Sequence, residues 1–364
     1  MPSWSLCMIV KDEAAVLERC LDSVKTLVDE MIIVDTGSAD GTKEIIKSYA
    51  GRLYEYDWQD DFSAARNYSF SLASSDYCLW LDADDVLPAS TVETLEKLKE
   101  NWDPATDVVM LPYQTAFDES GRPVFSFWRE RILRKGPEAV WKGRVHEAIE
   151  PFGHIVYTDA PIRHDKIKAG DPDRNLRIYR KMLEKGEPMD ARHLYYYGRE
   201  LFYHQCYQEG EKVFERFLGD ETGWIENRLD ASRQLAYCRY GLGKDQEALN
   251  ALMYGLTLGA PRAENCCDIG RHFFDRQDYA GAAFWYEAAL RCPKPDLSGG
   301  FVTEDCYGFL PCIQLCLCYD RMGDPQKACL YNEKAGKYKP EAACYIYNQK
   351  YFAEKGIAFS EKTE

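Results

Sequence analysis

A chain of 364 residues is longer than one hydrophobic core usually serves, so two domains are expected. Its formal net charge of −15 argues against a nucleic-acid or anionic-membrane surface, and no stretch approaches the roughly 18 apolar residues of a membrane span. Met1 to Val10 has no basic start and reads as a first strand rather than a signal peptide, so the expectation is a cytoplasmic protein without an integral membrane segment.

Ser5 to Val10 forms that strand and is broken by the polar Lys11-Asp12-Glu13. Apolar positions at Val16, Leu17, Cys20, Leu21, Val24 and Leu27 then follow at helical spacing. Met31 to Val34 reads as a second buried strand ending at Asp35-Thr36-Gly37-Ser38, with a helix from about Asp40 to Tyr49. A third strand, Tyr77 to Leu81, runs straight into Asp82-Ala83-Asp84-Asp85. Strands alternating with helices signify a parallel sheet with crossover helices, and ligands of such sheets collect beyond the carboxyl ends of the strands. Lys11 to Glu13, Asp35 to Ser38 and Asp82 to Asp85 all fall there.

Asp82, Asp84 and Asp85 crowd three carboxylates into four positions at the end of a buried strand. Such a cluster also serves as a helix cap or a solvated turn. In a buried setting its mutual repulsion requires a compensating positive charge, and Mg²⁺ or Mn²⁺ suits hard oxygen ligands. Mg²⁺ keeps part of its coordination for water and a substrate's phosphates, which makes a nucleoside diphosphate the implied ligand.

The ordered motifs Val34-Asp35-Thr36-Gly37-Ser38-Ala39-Asp40-Gly41-Thr42, Asp61-Phe62-Ser63-Ala64-Ala65-Arg66-Asn67 and Leu81-Asp82-Ala83-Asp84-Asp85 resemble the donor-binding half of family 2 glycosyltransferases with the GT-A fold. Trp141-Lys142-Gly143-Arg144-Val145-His146-Glu147, and His164 followed by Arg174-Asn175-Leu176, resemble the same group over roughly residues 4 to 180. A subgroup that couples this domain to helical repeats includes bacterial peptide S-glycosyltransferases that modify glycocins. The resemblance implies an α/β, Rossmann-like domain with a mixed, mostly parallel sheet and a UDP-sugar donor. It further implies Asp35 on uracil, Arg66 on the nucleotide or its phosphates, Asp82 on ribose or metal, and Asp84 as the metal ligand. Val10 and Glu13, at the end of the first strand and the turn after it, complete the donor-site candidates. Many members carry a second Asp where this chain has Thr36.

An inverting transfer needs a carboxylate or imidazole on the acceptor side, and Glu147 followed by His146 are the candidate bases. Val145 to Ile149 alternates like an edge strand, which would turn one of the two toward solvent. His164 is a candidate to complete the metal site or contact the diphosphate.

The pattern changes near residue 170, at Ala169-Gly170-Asp171-Pro172-Asp173, giving expected domains of 1–170 and 171–364. Beyond it, Gly198, Ala236, Gly270 and Cys316 align, and Gly210, Ala248, Ala282 and Ala328 follow twelve residues later. Gly243, Gln277 and Gly323 then fall at turns, and the middle units are offset by 34 residues, the tetratricopeptide (TPR) period. Lys294 to Gly300 is an insertion before the last unit. Four stacked helical hairpins are therefore expected in an all-α second domain.

Solenoids of this kind offer a concave face to extended peptides, which suggests a peptide or protein acceptor; dimerisation through the repeats accounts for the same residues. The 14 cysteines lack a Cys-x-x-Cys spacing and read as buried free thiols. Alternatives to sugar transfer onto a peptide side chain are a saccharide or lipid-linked acceptor and an inactive scaffold.

Overall fold

The computed structural model describes residues 1–49, 51–119, 121–167, 170–295 and 299–357. Ala169 of the expected break and Asp296, Leu297 and Ser298 of the expected insertion lie outside the described residues. The chain separates into two compact units, Met1–Tyr196 and Tyr197–Glu364.

In the first unit, β1 (Trp4–Val10), β2 (Glu30–Asp35), β3 (Arg52–Glu55) and β4 (Tyr77–Trp80) form the parallel half of a sheet. The short β5 (Asp85–Val86) follows the acidic turn, and β6 (Thr106–Phe117), β7 (Pro123–Arg134), β8 (His154–Tyr157) and β9 (Ile162–His164) complete the fold. The strand order is β3-β2-β1-β4-β7-β6-β9-β5, with β8 also on β6; β7 runs antiparallel to both β4 and β6. The sheet is mixed and mostly parallel in its first half, as the strand–helix alternation requires.

Successive side chains of a strand point to opposite faces, and both faces are covered here. Leu6, Met8 and Val10 of β1 join Ile33, Leu79 and Ile132 beneath α1 (Leu17–Val24) and α4 (Ala89–Glu100). Cys7, Ile32, Cys78 and Trp80 face the other way, against Phe70 and Ala73 at the end of α3 (Phe62–Leu72) and against Trp141. Burial on both faces is why β2 reads as the unbroken apolar run Met31 to Val34. The helix expected from Asp40 to Tyr49 is the shorter α2 (Thr42–Ser48), because Asp40 instead accepts hydrogen bonds from Thr42 and the Ala14 amide. Helices α5 (Arg174–Glu184) and the start of α6 (Ala191–Tyr203) group with the sheet unit: Tyr179 is fully buried and donates to the Val145 carbonyl.

The second unit is a series of helical hairpins. The end of α6 leads to α7 (Tyr207–Leu218), and α8 (Ile225–Gly241) pairs with α9 (Asp245–Leu258). Next come α10 (Ala263–Asp275) with α11 (Tyr279–Ala289), α12 (Phe309–Arg321) with α13 (Pro325–Tyr338), and then α14 (Ala343–Glu354). The predicted turn residues Gly243, Gln277 and Gly323 all take positive φ, as does Gln205 in the first hairpin. That left-handed geometry ends one helix and lets the chain reverse. The eight small residues aligned twelve apart are all buried, and a Cβ on Gly198 would fall 2.7 Å from the Phe214 ring. Eleven of the fourteen cysteines are buried and none is in a disulfide, so the thiols act as small core residues. Among the described residues no helix is long and apolar enough to cross a membrane.

Candidate functional site

The loops at the carboxyl ends of β1 and β2 are laced together by side-chain to backbone bonds. The Asp12 amide donates to Ser38 Oγ, the Ala39 amide to Asp12 Oδ1, and the Glu13 amide to Thr42 Oγ1. Thr36 donates from its amide and its hydroxyl to the Val10 carbonyl. Val10, Glu13 and Asp35 are thereby gathered on one rim. Asp35 is 1% exposed; its Oδ1 accepts from the Gly37 and Ser38 amides, each at 3.0 Å, with Lys43 Nζ 3.5 Å away. Burial raises its proton affinity, but hydrogen bonding from the Ser38 side chain and from the Ser38 and Gly37 amides, with the Lys43 charge, outweighs that effect and holds the carboxyl below its ordinary range. Its second oxygen, Oδ2, is buried with no hydrogen-bond partner among the described residues.

The acidic turn closes on itself: the Asp82 amide donates to Asp85 Oδ2, and the Asp85 amide to the Asp82 carbonyl. The compensating positive charge expected for the three carboxylates is supplied, for two of them, by arginines. Asp85, fully buried, meets Arg131 Nη1 at 2.9 Å and accepts from the Tyr113 hydroxyl at 2.8 Å. Arg131 is itself fully buried, lying 3.7 Å over the Trp80 ring and 4.3 Å over Tyr113. Asp82 meets Arg66 Nη2 at 2.6 Å, while Arg66 Nε bonds Glu147 Oε1 at the same distance. Arg66 lies against both Trp80 and Trp141, 5.0 and 4.9 Å from their ring centroids. Burial pushes the Asp82 carboxyl up, yet the Arg66 and Arg131 charges prevail and hold it well below the usual carboxylate range.

Among the described residues Asp84 has no arginine partner and pairs with His164 instead. Pairing of β5 with β9 sets Asp85 opposite His164, which brings His164 Nδ1 to 3.3 Å from both Asp84 Oδ1 and Asp85 Oδ1. Burial disfavours the imidazolium, but hydrogen bonds and charge from the two carboxylates win and raise the His164 pKa to about 10. Ligand atoms of Asp84, Asp85 and His164 lie within 4.8 Å of one another. Two carboxylates and an imidazole fit Mg²⁺ or Mn²⁺. The structure brings Asp84 and His164 together as anticipated, but with Asp85 in the third position; the Asp82 carboxylate faces Arg66.

The segment carrying His146 and Glu147 is not the expected edge strand. It is a loop closed by one bridge, Lys142 to Ala148, with Gly143 and His146 at positive φ. Its anchors come from both sides in sequence: Asn67 pairs twice with the Trp141 backbone, and Arg192 Nε donates to the His146 carbonyl at 2.9 Å. His146 stacks on Tyr196 at 4.3 Å, and Glu147 turns inward to Arg66. Neither alternation nor spacing could reveal this loop, whose shape depends on two residues in left-handed geometry and on partners 46 to 81 positions away. Arg131 and Tyr113 went unnoticed as well; the available signal was the charged Arg129-Glu130-Arg131 interrupting an otherwise apolar β7.

Residues 5–160 match the model of glycosyl transferase family 2. This unit carries a family 2 glycosyltransferase domain. A TPR repeat-containing protein of Synechococcus elongatus is 40% identical over 41% of this chain and 36% of its own length. The SPbeta prophage-derived glycosyltransferase SunS of Bacillus subtilis is 27% identical over 55% of this chain and 49% of its own. The lipopolysaccharide core biosynthesis glycosyltransferase LpsC of Rhizobium meliloti is 29% identical over 42% and 58%, respectively. The chain thus spans between about a third and three fifths of the length of these relatives. A family 2 domain followed by TPR-like repeats is the organisation the chain shows.

Two outcomes follow from the charge pattern. Arg131→Ala strands the buried Asp85 carboxylate and should destabilise the protein by about 3–5 kcal/mol in urea unfolding, whereas Arg131→Met combined with Asp85→Leu should cost less than the sum of the single changes. His164 gains its raised pKa only on folding, so its contribution is complete below its unfolded value of about 6.5 and is lost as pH rises through about 10. In chelator, the stability gap between the wild type and His164→Ala should shrink from pH 6 to pH 10.5.

Proposed function

We propose that the protein is an inverting glycosyltransferase that moves a sugar from a UDP-sugar to a peptide or protein side chain, with Mg²⁺ or Mn²⁺ held by Asp84 and His164. The observation that carries the reading is the buried, unpartnered Oδ2 of Asp35 at the end of β2. A carboxylate oxygen kept ionised and without a donor is matched by the imide N–H of uracil.

In this reading Asp82, whose charge is fixed by Arg66, accepts from the ribose hydroxyls. Arg66 spends both of its described ion pairs on Asp82 and Glu147, so it acts by orienting these two carboxylates. Glu147 accepts the proton of the attacking acceptor group at its carboxylate, and His146 stands beside it on the same loop. The cation, when bound, supplies positive charge to the departing diphosphate. The stacked hairpins of the second unit support a peptide-like acceptor, since such repeats present extended surfaces to extended chains. A cytoplasmic setting is consistent with the buried free thiols.

Asp35→Ala should weaken UDP binding about tenfold or more and abolish the preference for UDP over GDP, as read by calorimetry; unchanged affinity would remove uracil from this position. Glu147→Gln should lower the transfer rate by about 10²–10⁴ while leaving donor affinity intact, and a wild-type rate would place the base elsewhere.

A further inference from the structure

Cys266 and Cys267 are adjacent in α10, and each faces a cysteine from a different end of the segment that separates α11 from α12. Cys266 Sγ lies 3.9 Å from Cys292 Sγ, just beyond α11, and Cys267 contacts Cys306. The same segment is tied to α10 by Glu264, which accepts from the Thr303 amide and from the Tyr307 hydroxyl. Pro295 and Phe301 of this segment line a cleft together with Asp230, Arg233, Arg262 and Asn265 of the α8 and α10 region. Cys292 thus stands three residues before Pro295 of that cleft.

The two thiol contacts differ in access. Cys267 and Cys306 are both buried, at 4% exposure each, whereas Cys292 is half-buried and reaches the surface beside the buried Cys266. The Cys266 hydrogen bond favours the Cys292 thiolate over the thiol, against the effect of burial. A partly accessible thiol with a second thiol in contact is the arrangement of a reversible oxidation site.

We propose that Cys266 and Cys292 form a thiol–disulfide modification site that hydrogen peroxide closes. The Cys292 thiolate attacks one peroxide oxygen, breaking the O–O bond to give the sulfenic acid and hydroxide. Cys266 sulfur then displaces the sulfenic oxygen, which leaves with two protons as water. In sum, two thiols lose two electrons and two protons, and one peroxide becomes two waters. The sulfurs must approach from 3.9 Å to about 2.05 Å. The disulfide would fix the start of the cleft wall to α10, and reduction would release it. This inference is independent of the sugar-transfer reading.

The test is peroxide treatment of the native full chain, followed by alkylation and mass spectrometry of a non-reduced digest, with the exposed Cys344 reporting that oxidant has reached the protein. The expected result is a linked pair of peptides carrying Cys266 and Cys292, two hydrogens lighter than their sum. It should disappear on reduction, be absent from Cys292→Ser, and persist in Cys267→Ser. Recovery of Cys292 as an unlinked sulfinic or sulfonic acid, or unmodified while Cys344 is oxidised, would overturn the proposal.

Discussion

A guanidinium buried in a protein cannot shed its charge, so its position dictates where carboxylates must be. Arg131 and Arg66 impose that constraint on the first unit. Both lie on the face of Trp80, one fully buried under the sheet and the other at its rim, and between them they fix Asp85, Asp82 and Glu147. The acidic turn after β4 thus has its Asp85 and Asp82 carboxylates paired with arginines, while Asp84 has His164 alongside. Counter-charges for Asp85 and Asp82 are built into β7 and α3, where Arg131 and Arg66 offset the repulsion of the crowded carboxylates.

That arrangement separates two tasks along one strand end. Asp85 holds the turn's shape through Arg131, Tyr113 and the Asp82 amide. Asp84 and His164 retain ligand atoms suited to a hard cation, while Asp82 faces the side of the rim shared with Glu147. On the other side of β1, Asp35 is organised by the amides of its own loop and keeps one oxygen in reserve. Interlocking of the β1 and β2 loops through Asp12, Ser38, Asp40 and Thr42 holds these groups in register.

Features governed by local periodicity could be read directly from the chain. Strands β1, β2 and β4 announce themselves as apolar runs because the sheet is covered on both faces, and the hairpin turns at Gly243, Gln277 and Gly323 follow from a repeat whose small residues permit close helix contact. Asp35, Arg66, Asp82 and Asp84 were identifiable as a set through their ordered motifs. What escaped were relations fixed by distant pairings. Arg131 reaches Asp85 across a strand order that chain order does not reveal, and the 142–148 loop takes its form from Asn67 and Arg192. Charge balance in particular is a three-dimensional property: the sequence displays the carboxylates together and scatters their partners.

The most direct measurement of the central claim is anomalous diffraction from crystals grown with UDP and manganese. The account predicts a manganese peak within about 2.0–2.4 Å of Asp84 and His164 ligand atoms, with the uracil imide on Asp35 Oδ2. A manganese peak away from Asp84, or a uracil bound elsewhere than Asp35, would contradict it.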